Sequence, residues 1–182
     1  MKIGFCGTMS VGKTTLVKSL ELLPQFKDYH IATERSQYLS SLGIPLNTDS
    51  TLKGQSIFLA ERCAELMRED IITDRTVIDV MAFTQCAKSI SYLHSTPFEN
   101  HTQNLIPEYD HVFYVSPIGV DIENNGIRET DSEYRDLIDD TIKSLCKKYH
   151  HKFKNFHVIE GSNGERIKQV VEAVEKTKEL IG

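Results

Sequence analysis

The sequence predicts an α/β fold in which helices cover both faces of a parallel sheet. Short apolar stretches alternate with stretches of helical periodicity along the 182-residue chain, a pattern typical of such a sheet. A glycine-rich stretch at 7–14, Gly-Thr-Met-Ser-Val-Gly-Lys-Thr, separates the first apolar stretch from the first helical one. Ligands of parallel sheets bind at the carboxyl ends of the strands, so we expect the functional residues to gather at that edge.

The first part of the chain is predicted to alternate two strands with three helices. Residues 2–6 form an apolar run that predicts a strand, and apolar side chains recur at helical spacing over 14–23. Residues 29–33 predict a second strand, and a helix over 34–42 is predicted to end because a glycine and a proline follow. A longer third helix is predicted over about 51–68, since an aspartate and a serine that can cap a helix precede it.

The rest of the chain continues the alternation. The predicted elements are strands at 71–74, 111–115 and 156–159, and helices at 77–93, 132–149 and 164–181. The strands are short runs rich in apolar residues, and the helix over 132–149 is amphipathic and charged. The polar, glycine-bearing stretch 118–130 is predicted as a loop. Neither a linker nor a repeat interrupts the pattern, so we expect one domain over 1–182.

Composition indicates a globular protein and argues against two classes of partner. Hydrophobic residues make up 40% of the chain and charged residues 26%, which is ordinary for a soluble domain. The formal net charge of −5 argues against a general electrostatic attraction to nucleic acid. No apolar run approaches the roughly 20 residues that span a bilayer, and the N-terminus lacks a signal peptide's apolar core. The four cysteines lack a CxxC pairing, so we expect reduced thiols in a cytoplasmic protein.

The stretch at 7–14 matches the phosphate-binding pattern G-x-x-x-x-G-K-[ST] and lies between a predicted strand and a predicted helix. Its glycines allow the close turns that point successive amide groups at phosphate oxygens. Lys13 would contact the β- and γ-phosphates, and the Thr14 hydroxyl would bind Mg²⁺. We therefore expect the chain to bind a nucleoside triphosphate. The residues predicted to bind it are Gly7, Ser10, Val11, Gly12, Lys13, Thr14 and Thr15.

Charged pairs follow the second and third predicted strands. Asp74 ends an apolar strand, a place where an acid commonly holds Mg²⁺, and Arg75 follows it at once. Glu34 and Arg35 stand at the end of the second strand. The Glu34 carboxylate could accept a proton from an acceptor hydroxyl or orient it, and Arg35 could pair with a substrate phosphate. These pairs suit a site that holds both a metal and an anionic or polar acceptor.

Further polar residues are predicted to face the same cleft. The predicted loop carries Arg128, and Arg135 follows it in the next helix. Arginines on a mobile segment can stabilise the charge that develops during phosphoryl transfer. Gln55 in the third helix and Asp79 near the start of the fourth are predicted to contact the acceptor, as are Glu34, Arg35 and Arg75. The predicted catalytic residues are Lys13, Glu34, Asp74, Arg128 and Arg135.

Together these residues resemble the P-loop nucleoside and nucleotide kinase superfamily. Within it they look most like the AAA_28 group, which includes the ribosylnicotinamide kinase domain of NadR and small bacterial or phage proteins. The resemblance rests on Gly7 to Thr14, Glu34-Arg35, Gln55, the run from Asp74 to Asp79, the run from Tyr109 to Val115, and Asn125-Gly126-Ile127-Arg128 with Tyr134-Arg135. Asn125 stands where the family pattern often has an acid.

The resemblance implies a three-layer P-loop NTPase fold with a five-stranded parallel sheet and a small lid around 118–135. It implies ATP with Mg²⁺ and transfer of the γ-phosphoryl group to a hydroxyl of a nucleoside, a nucleotide or a related small metabolite. By that analogy Asp74 would serve the metal or act as a base. Arg75 and Arg35 would meet acceptor or phosphate oxygens, and Arg128 and Arg135 would act from the lid.

Two other functions are weighed against a small-molecule kinase. A kinase whose acceptor is a hydroxymethylated base or an end of DNA or RNA draws support from the basic stretch 147–154, although nucleic acid is the less favoured partner. That stretch also fits a solvated helix end, where basic residues are favourable. An NTP-hydrolysing switch would carry an Asn-Lys-x-Asp guanine signature or an Asp-x-x-Gly switch after the third strand, and the sequence has neither.

Overall fold

A five-stranded parallel sheet forms the centre of the computed structural model, which describes residues 1–118 and 132–181. Its strands are β1 (Lys2–Cys6), β2 (His30–Ala32), β3 (Ile71–Asp74), β4 (His111–Val115) and β5 (Phe156–Ile159). Their order is β2-β3-β1-β4-β5, with Gly4 of β1 opposite Thr73 on one side and Val112 on the other. The predicted parallel sheet is therefore confirmed. The chain crosses from one side of β1 to the other after β3, which opens a crevice at the carboxyl end of β1.

Helices lie on both faces of the sheet and complete three layers. They are α1 (Lys13–Glu21), α2 (Ser36–Ser41), α3 (Leu52–Glu65), α4 (Val77–Cys86), α5 (Tyr92–Thr102), α6 (Ser132–Lys148) and α7 (Asn163–Ile181). One hydrophobic cluster joins α1 and α7 to one face of the sheet, and a second joins α3, α4 and α6 to the other. No described helix combines the length and the apolar character needed to cross a membrane.

The strands alternate their side chains between the two clusters. Phe113 and Val115 of β4 belong to the cluster with α1 and α7, whereas Val112 and Tyr114 belong to the cluster with α4 and α6. This period of two follows from strand geometry. Because both faces are covered, β4 is buried along its whole length, which accounts for the continuous run of buried residues in it.

The predicted continuous helix over 77–93 is wrong. The helix ends at Cys86, where Ala87 adopts an extended backbone with ψ of 128°, and a separate helix begins at Tyr92. The Lys88 amide donates to the Thr48 carbonyl (3.0 Å), and Ser89 Oγ donates to the Ser50 carbonyl (2.6 Å). These contacts with a distant segment replace helical hydrogen bonds, so local periodicity could not reveal the break. They also fix residues 47–50 above the carboxyl edge of the sheet.

Candidate nucleotide and acceptor site

The glycine-rich stretch forms a loop between β1 and α1 at the carboxyl edge of the sheet. Gly7 has a φ of 151°, Ser10 of 59° and Gly12 of 83°, so the backbone repeatedly enters the region that favours glycine. A Cβ atom on Gly7 would lie 2.8 Å from the Val115 carbonyl oxygen, which excludes larger residues there. Gly12 caps α1 without a side-chain hydrogen bond. The first amides of α1 are therefore left for an anion.

Lys13 lies inside this loop rather than on its surface. Its Nζ atom donates to the carbonyl oxygens of Gly7 (2.6 Å) and Thr8 (2.5 Å), and the residue is 6% exposed. Burial, and next the positive charge of Arg75, lower the pKa of Lys13 to about 8. The ammonium group is thus charged at neutral pH and only partly compensated, as expected for a group that meets phosphate oxygens.

Thr14 and Asp74 face each other across the start of α1 and the end of β3. Thr14 Oγ1 donates to Asp74 Oδ2 (2.5 Å), and Asp74 is 1% exposed. The other carboxylate oxygen, Oδ1, is buried and has no hydrogen-bond partner among the described residues. A hydroxyl beside an unsatisfied carboxylate oxygen is the donor set that Mg²⁺ takes in nucleotide sites. These two residues fit the metal, and the described part of the chain has no group of three or more His, Cys, Asp or Glu side chains that could hold one.

Arg75 stands in a strained backbone conformation directly after β3. Its φ is 106°, which a residue with a Cβ rarely adopts. Its guanidinium lies over the Phe83 ring, with 4.9 Å from Cζ to the ring centroid. Nη1 is 3.6 Å from Asp79 Oδ1, and Nε is 3.9 Å from Glu34 Oε1. The side chain is thus shared between two carboxylates at the middle of the crevice.

Asp79 connects the glycine-rich loop 7–14, called the phosphate loop below, to α4. Its Oδ1 atom accepts from the Gly7 amide (3.2 Å), and its Oδ2 atom accepts from the amide (2.8 Å) and the hydroxyl (3.0 Å) of Thr76. With Thr76, it forms the capping box of α4. Asp79 lines the cavity, and its carboxylate also supports the loop and the helix.

Glu34 is fixed at the turn between β2 and α2. Its Oε1 atom accepts from the Ser36 amide (2.7 Å). Burial would raise the pKa of Glu34, but the guanidinium of Arg75 and the hydrogen bond from Ser36 outweigh it and lower this pKa overall. The carboxylate is therefore ionised at neutral pH and can accept a hydrogen bond or a proton.

One cavity of about 510 Å³ joins these groups. Residues Met9 to Thr15, which run from the phosphate loop into the first turn of α1, form one end of the cavity. The other end is lined by Glu34, Ser36, Gln37, Ser40, Leu46, Asn47, Ser50, Gln55, Phe58 and Phe83. Gln55 is 3% exposed, and Ser50 Oγ is buried without a hydrogen-bond partner among the described residues. We call these the donor end and the acceptor end, and Asp74, Arg75 and Asp79 lie between them.

Arg35 and Arg135, two of the predicted arginines, are not brought into this cavity by the described contacts. The Arg35 side chain is 50% exposed, pairs with Glu61 Oε1 (3.2 Å) and lies over the Tyr38 ring. The backbone of Arg135 contacts the phosphate loop, since its carbonyl accepts from Thr8 Oγ1 (2.8 Å). Arg128 and most of the predicted lid lie in 119–131, outside the described residues.

Two buried arginines were missed by sequence reasoning. Arg62 of α3 shares Nη1 between the carbonyls of Asp74 and Arg75 (3.5 Å each) and pairs through Nη2 with Glu65 (2.6 Å). It therefore supports the end of β3, where the strained backbone lies. Arg166 of α7 contacts the phosphate loop from behind. Neither belongs to a recognisable motif, so only the tertiary contacts reveal them.

The basic stretch 147–154 lies at the opposite edge of the sheet. Lys154 Nζ pairs with Asp110 Oδ1 (3.0 Å), directly before β4, and Lys148 Nζ pairs with Glu99 Oε1 (2.6 Å). Asp110 also accepts from the Lys2 amide at the start of β1 (2.8 Å). These contacts place the stretch at the amino ends of the strands, away from the cavity.

The family follows from a match over most of the chain. The model of the AAA domain family AAA_28 matches residues 2–166. The chain belongs to the AAA_28 family. The AAA_28 assignment and the strand order agree with the resemblance that the motifs indicate. No curated protein sequence is significantly similar to the chain.

Solved structures share the fold of this AAA_28 chain at low sequence identity. Deoxyadenosine kinase from M. mycoides, with the products dCMP and dCDP bound, has a TM-score of 0.71 and 19% identity over 97% of this chain and 100% of that one. NadR in complex with NR has a TM-score of 0.74 and 16% identity over 96% of this chain, which spans 50% of the NadR chain. Thymidylate kinase from Ehrlichia chaffeensis has a TM-score of 0.63 and 17% identity over 96% and 98%. At these identities the likeness shows a common fold.

Proposed function

We propose that the chain is an ATP-dependent kinase that transfers the γ-phosphoryl group to a hydroxyl of a nucleoside, a nucleotide or a related small metabolite. The observation that carries this proposal is the continuity of the cavity from the phosphate loop to the acceptor end. A hydrolysing switch needs a place for the triphosphate and a water. A cavity of about 510 Å³ that continues past Asp74 to Gln55 and Phe58 also accommodates a second organic molecule.

The balance of charge favours a neutral acceptor over a phosphorylated one. Among the described residues that line the cavity, Lys13, Arg62 and Arg75 are matched by Glu34, Asp74 and Asp79. Arg75, which lies between the two ends, is already shared by two carboxylates. A monophosphate would bring about two further negative charges to this region at neutral pH. We therefore infer that a nucleoside-like alcohol is preferred to a nucleoside monophosphate.

The acceptor end suits a planar ring with polar edges. Asn47, Ser50 and Gln55 supply uncharged donors and acceptors, and Phe58 and Phe83 supply aromatic surface. Gln55 is buried, so its amide needs partners that a bound ring can provide. An apolar pocket with a few placed polar groups is the usual form of a site for such a ligand. Nucleobases and nicotinamide both have the required shape and hydrogen-bonding edges.

The residues divide the proposed reaction between them. Glu34 takes the proton of the acceptor hydroxyl while that oxygen forms a bond to the γ-phosphorus and the bond from phosphorus to the bridging oxygen of ADP breaks. Lys13 and the loop amides stabilise the negative charge on the phosphate oxygens. Thr14 and Asp74 would hold Mg²⁺, which neutralises charge on the β- and γ-phosphates. Arg75 orients the acceptor against Glu34.

A screen of ATP consumption tests the proposal. The panel contains nucleosides, nucleoside monophosphates, nicotinamide riboside, hydroxymethylated DNA and RNA ends. We expect ADP formation that depends on a nucleoside-like acceptor, with a lower kcat/KM for its monophosphate. Gln55→Leu should raise the KM for the acceptor about tenfold without changing ATP affinity, because the bound ring loses the hydrogen-bond partner that the Gln55 amide supplies. Gln25→Leu, on an exposed turn, is the matched control. The proposal fails if no acceptor in the panel stimulates ADP formation, whatever the effect of Lys13→Ala on ATP binding.

A further inference from the structure

Arg166, near the start of α7, connects the phosphate loop to the end of β4. Its Nη1 atom donates to the Val11 carbonyl (2.5 Å), and its Nη2 atom donates to the Ser116 carbonyl (2.7 Å). The residue is 3% exposed. A planar guanidinium can hold two carbonyl oxygens in a fixed relative position, which a lysine cannot do. The contact therefore fixes one backbone group of the loop relative to the sheet.

The charge of Arg166 has no counter-charge in the described part of the chain. It forms no ion pair with a described residue, and its buried Nε atom has no hydrogen-bond partner there. Some other buried charges are paired, Arg62 with Glu65 (2.6 Å) and Glu99 with Lys148 (2.6 Å), whereas the buried Lys13 of the phosphate loop, like Arg166, donates only to carbonyl oxygens among the described residues. A buried charge without a partner is costly, so such groups usually serve a ligand or a reaction.

The position of this charge points to the phosphate site. Nη1 lies 3.4 Å from the point where a Cβ atom on Gly12 would stand, and Gly12 has a φ of 83°. Gly12 is the residue directly before Lys13 and caps α1. The guanidinium thus lies directly behind the loop residues whose amides face an anion, where its field adds to that of the helix N-terminus.

We propose that Arg166 is a positioning residue of the phosphate loop and that a bound polyphosphate supplies the counter-charge that the described residues do not provide. The inference rests on the part of the proposed function that assigns a triphosphate to this loop. Arg166 holds the Val11 carbonyl away from the anion, so that the following amides can face it. Its positive charge lowers the free energy of the bound anion without touching it.

Two substitutions distinguish the effect of the two carbonyl contacts of Arg166 from the effect of its positive charge. Arg166→Met removes both, and Arg166→Lys keeps the charge but cannot hold both carbonyls. The dissociation constants of ATP and of inorganic tripolyphosphate are measured by calorimetry at low and at moderate salt. We expect Arg166→Met to weaken both ligands at least about tenfold and Arg166→Lys only about threefold, from the usual strength of charge-assisted contacts. The control is Lys168→Met, which removes an exposed charge from the same helix and should change affinity less than about twofold.

Urea unfolding with and without tripolyphosphate gives a second readout. A residue that is only structural would lower the stability of the free protein without changing the stabilisation that the anion provides. We expect the increase in the urea midpoint on adding tripolyphosphate to be smaller for Arg166→Met than for the wild type. If Arg166→Met does not fold, Arg166→Gln replaces it, because its amide can still donate to one carbonyl.

Wild-type affinity for tripolyphosphate in the neutral variant would overturn the inference, and so would equal losses in the neutral and lysine variants. These measurements need no acceptor and no turnover, so they are independent of the kinase assay. If ATP binds in an Arg166-dependent manner but nothing is phosphorylated, the kinase proposal fails and this inference stands. If phosphoryl transfer occurs and Arg166→Met binds both ligands as the wild type does, the kinase proposal stands and this inference fails.

Discussion

The carboxyl and amino edges of the sheet differ in backbone strain and in how their polar and charged groups are paired. Three non-glycine residues of the described chain have a positive φ: Ser10, Asn47 and Arg75. All three line the cavity at the carboxyl edge. Buried polar atoms there, such as Asp74 Oδ1 and Ser50 Oγ, have no hydrogen-bond partner among the described residues. At the amino edge, charged groups form ion pairs instead: the N-terminal ammonium with Asp70, Lys2 with Glu108, and Lys154 with Asp110.

This difference indicates that the carboxyl edge contains features that lower the stability of the fold and are typical of functional sites. Residues in sparsely populated backbone regions cost of order 1–3 kcal/mol each, and they cluster at ligand sites. Buried groups without partners add a similar cost. Three residues in such backbone regions around one cavity are therefore the pattern expected of a ligand site. Each surface ion pair at the amino edge contributes little to stability, and its charges already have partners without a ligand.

Removing Lys13 should produce the largest effect at the carboxyl edge. Lys13→Ala deletes the one loop side chain that can bring a full charge to the phosphates, so we expect kcat/KM for ATP to fall at least about 1,000-fold, or about 4 kcal/mol. The ATP dissociation constant should rise as well. Steady-state kinetics and calorimetry measure the two quantities. Lys18→Ala, on the exposed face of α1, is the control and should leave both within about twofold.

Glu34→Gln should act on the rate rather than on nucleotide affinity. The amide still accepts the hydrogen bond from the Ser36 amide but cannot take a proton, so we expect kcat to fall about 100-fold. The ATP dissociation constant should stay within about twofold, because Glu34 lies at the acceptor end. An unchanged kcat would indicate that Asp74, and not Glu34, accepts the proton. The exposed Glu21→Gln serves as the control.

Among the described residues of the amino edge, a buried histidine pair differs from these ion pairs, and its effect on stability is expected in acid. His111 Nδ1 and His157 Nε2 are 3.0 Å apart and their rings stack, and His111 is fully buried. Burial and next the proximity of His157, with a smaller contribution from the N-terminal ammonium, lower the pKa of His111 to about 4 against the opposing charge of Asp110. Burial also lowers the pKa of His157. His111 therefore stays neutral in the folded protein well below the ordinary histidine pKa.

The sign of the stability change follows from proton binding. Between the unfolded pKa of about 6.5 and the folded value of about 4, the unfolded chain binds more protons, so the free energy of unfolding falls as the pH falls. We expect a loss of about 2 kcal/mol between pH 7 and pH 5, measured by urea unfolding. His111→Phe, which can stack on Phe113, should lose most of this dependence, whereas the exposed His101→Phe should keep it. Equal slopes in all three proteins would contradict the assignment.

Sequence patterns predicted the donor end better than the acceptor end, for a physical reason. The phosphate loop is a local structure, so its residues are contiguous and their spacing defines the motif from Gly7 to Thr14. Strands β1, β3, β4 and β5 were also predicted at their observed bounds, because they are buried and strongly apolar. The position of Asp74 at the carboxyl edge was predicted because it ends such a strand.

The acceptor end depends on contacts between distant segments, which periodicity does not report. The break after Cys86 arises where Lys88 and Ser89 contact residues 48 and 50, and nothing in their own sequence stops a helix. Arg35 was predicted to face a substrate, yet the helix that follows it turns its side chain toward Glu61. Arg166 lies more than 150 positions from the loop it supports. Such roles follow from the fold and not from spacing.

The smallest effect on activity is expected from substitutions in the basic stretch 147–154. Lys147 and Lys152 lie at the amino edge, separated from the cavity by strands of four or five residues, about 15 Å at about 3.3 Å per residue. The Debye length at physiological salt is about 8 Å, so their charges are largely screened from the bound nucleotide. Lys147→Gln with Lys152→Gln should therefore change kcat/KM for a nucleoside less than about twofold.

The same double variant tests the polymer acceptor directly. If DNA or RNA were bound along this stretch, removing two of its charges would reduce the salt dependence of binding by nearly two units of slope. We expect no salt-sensitive binding of wild type to DNA at low salt, measured by fluorescence anisotropy, because the neighbouring Lys148 and Lys154 are already paired with carboxylates. Binding that is lost in the double variant would instead make the amino edge a second functional surface, and the contrast between the two edges would no longer hold.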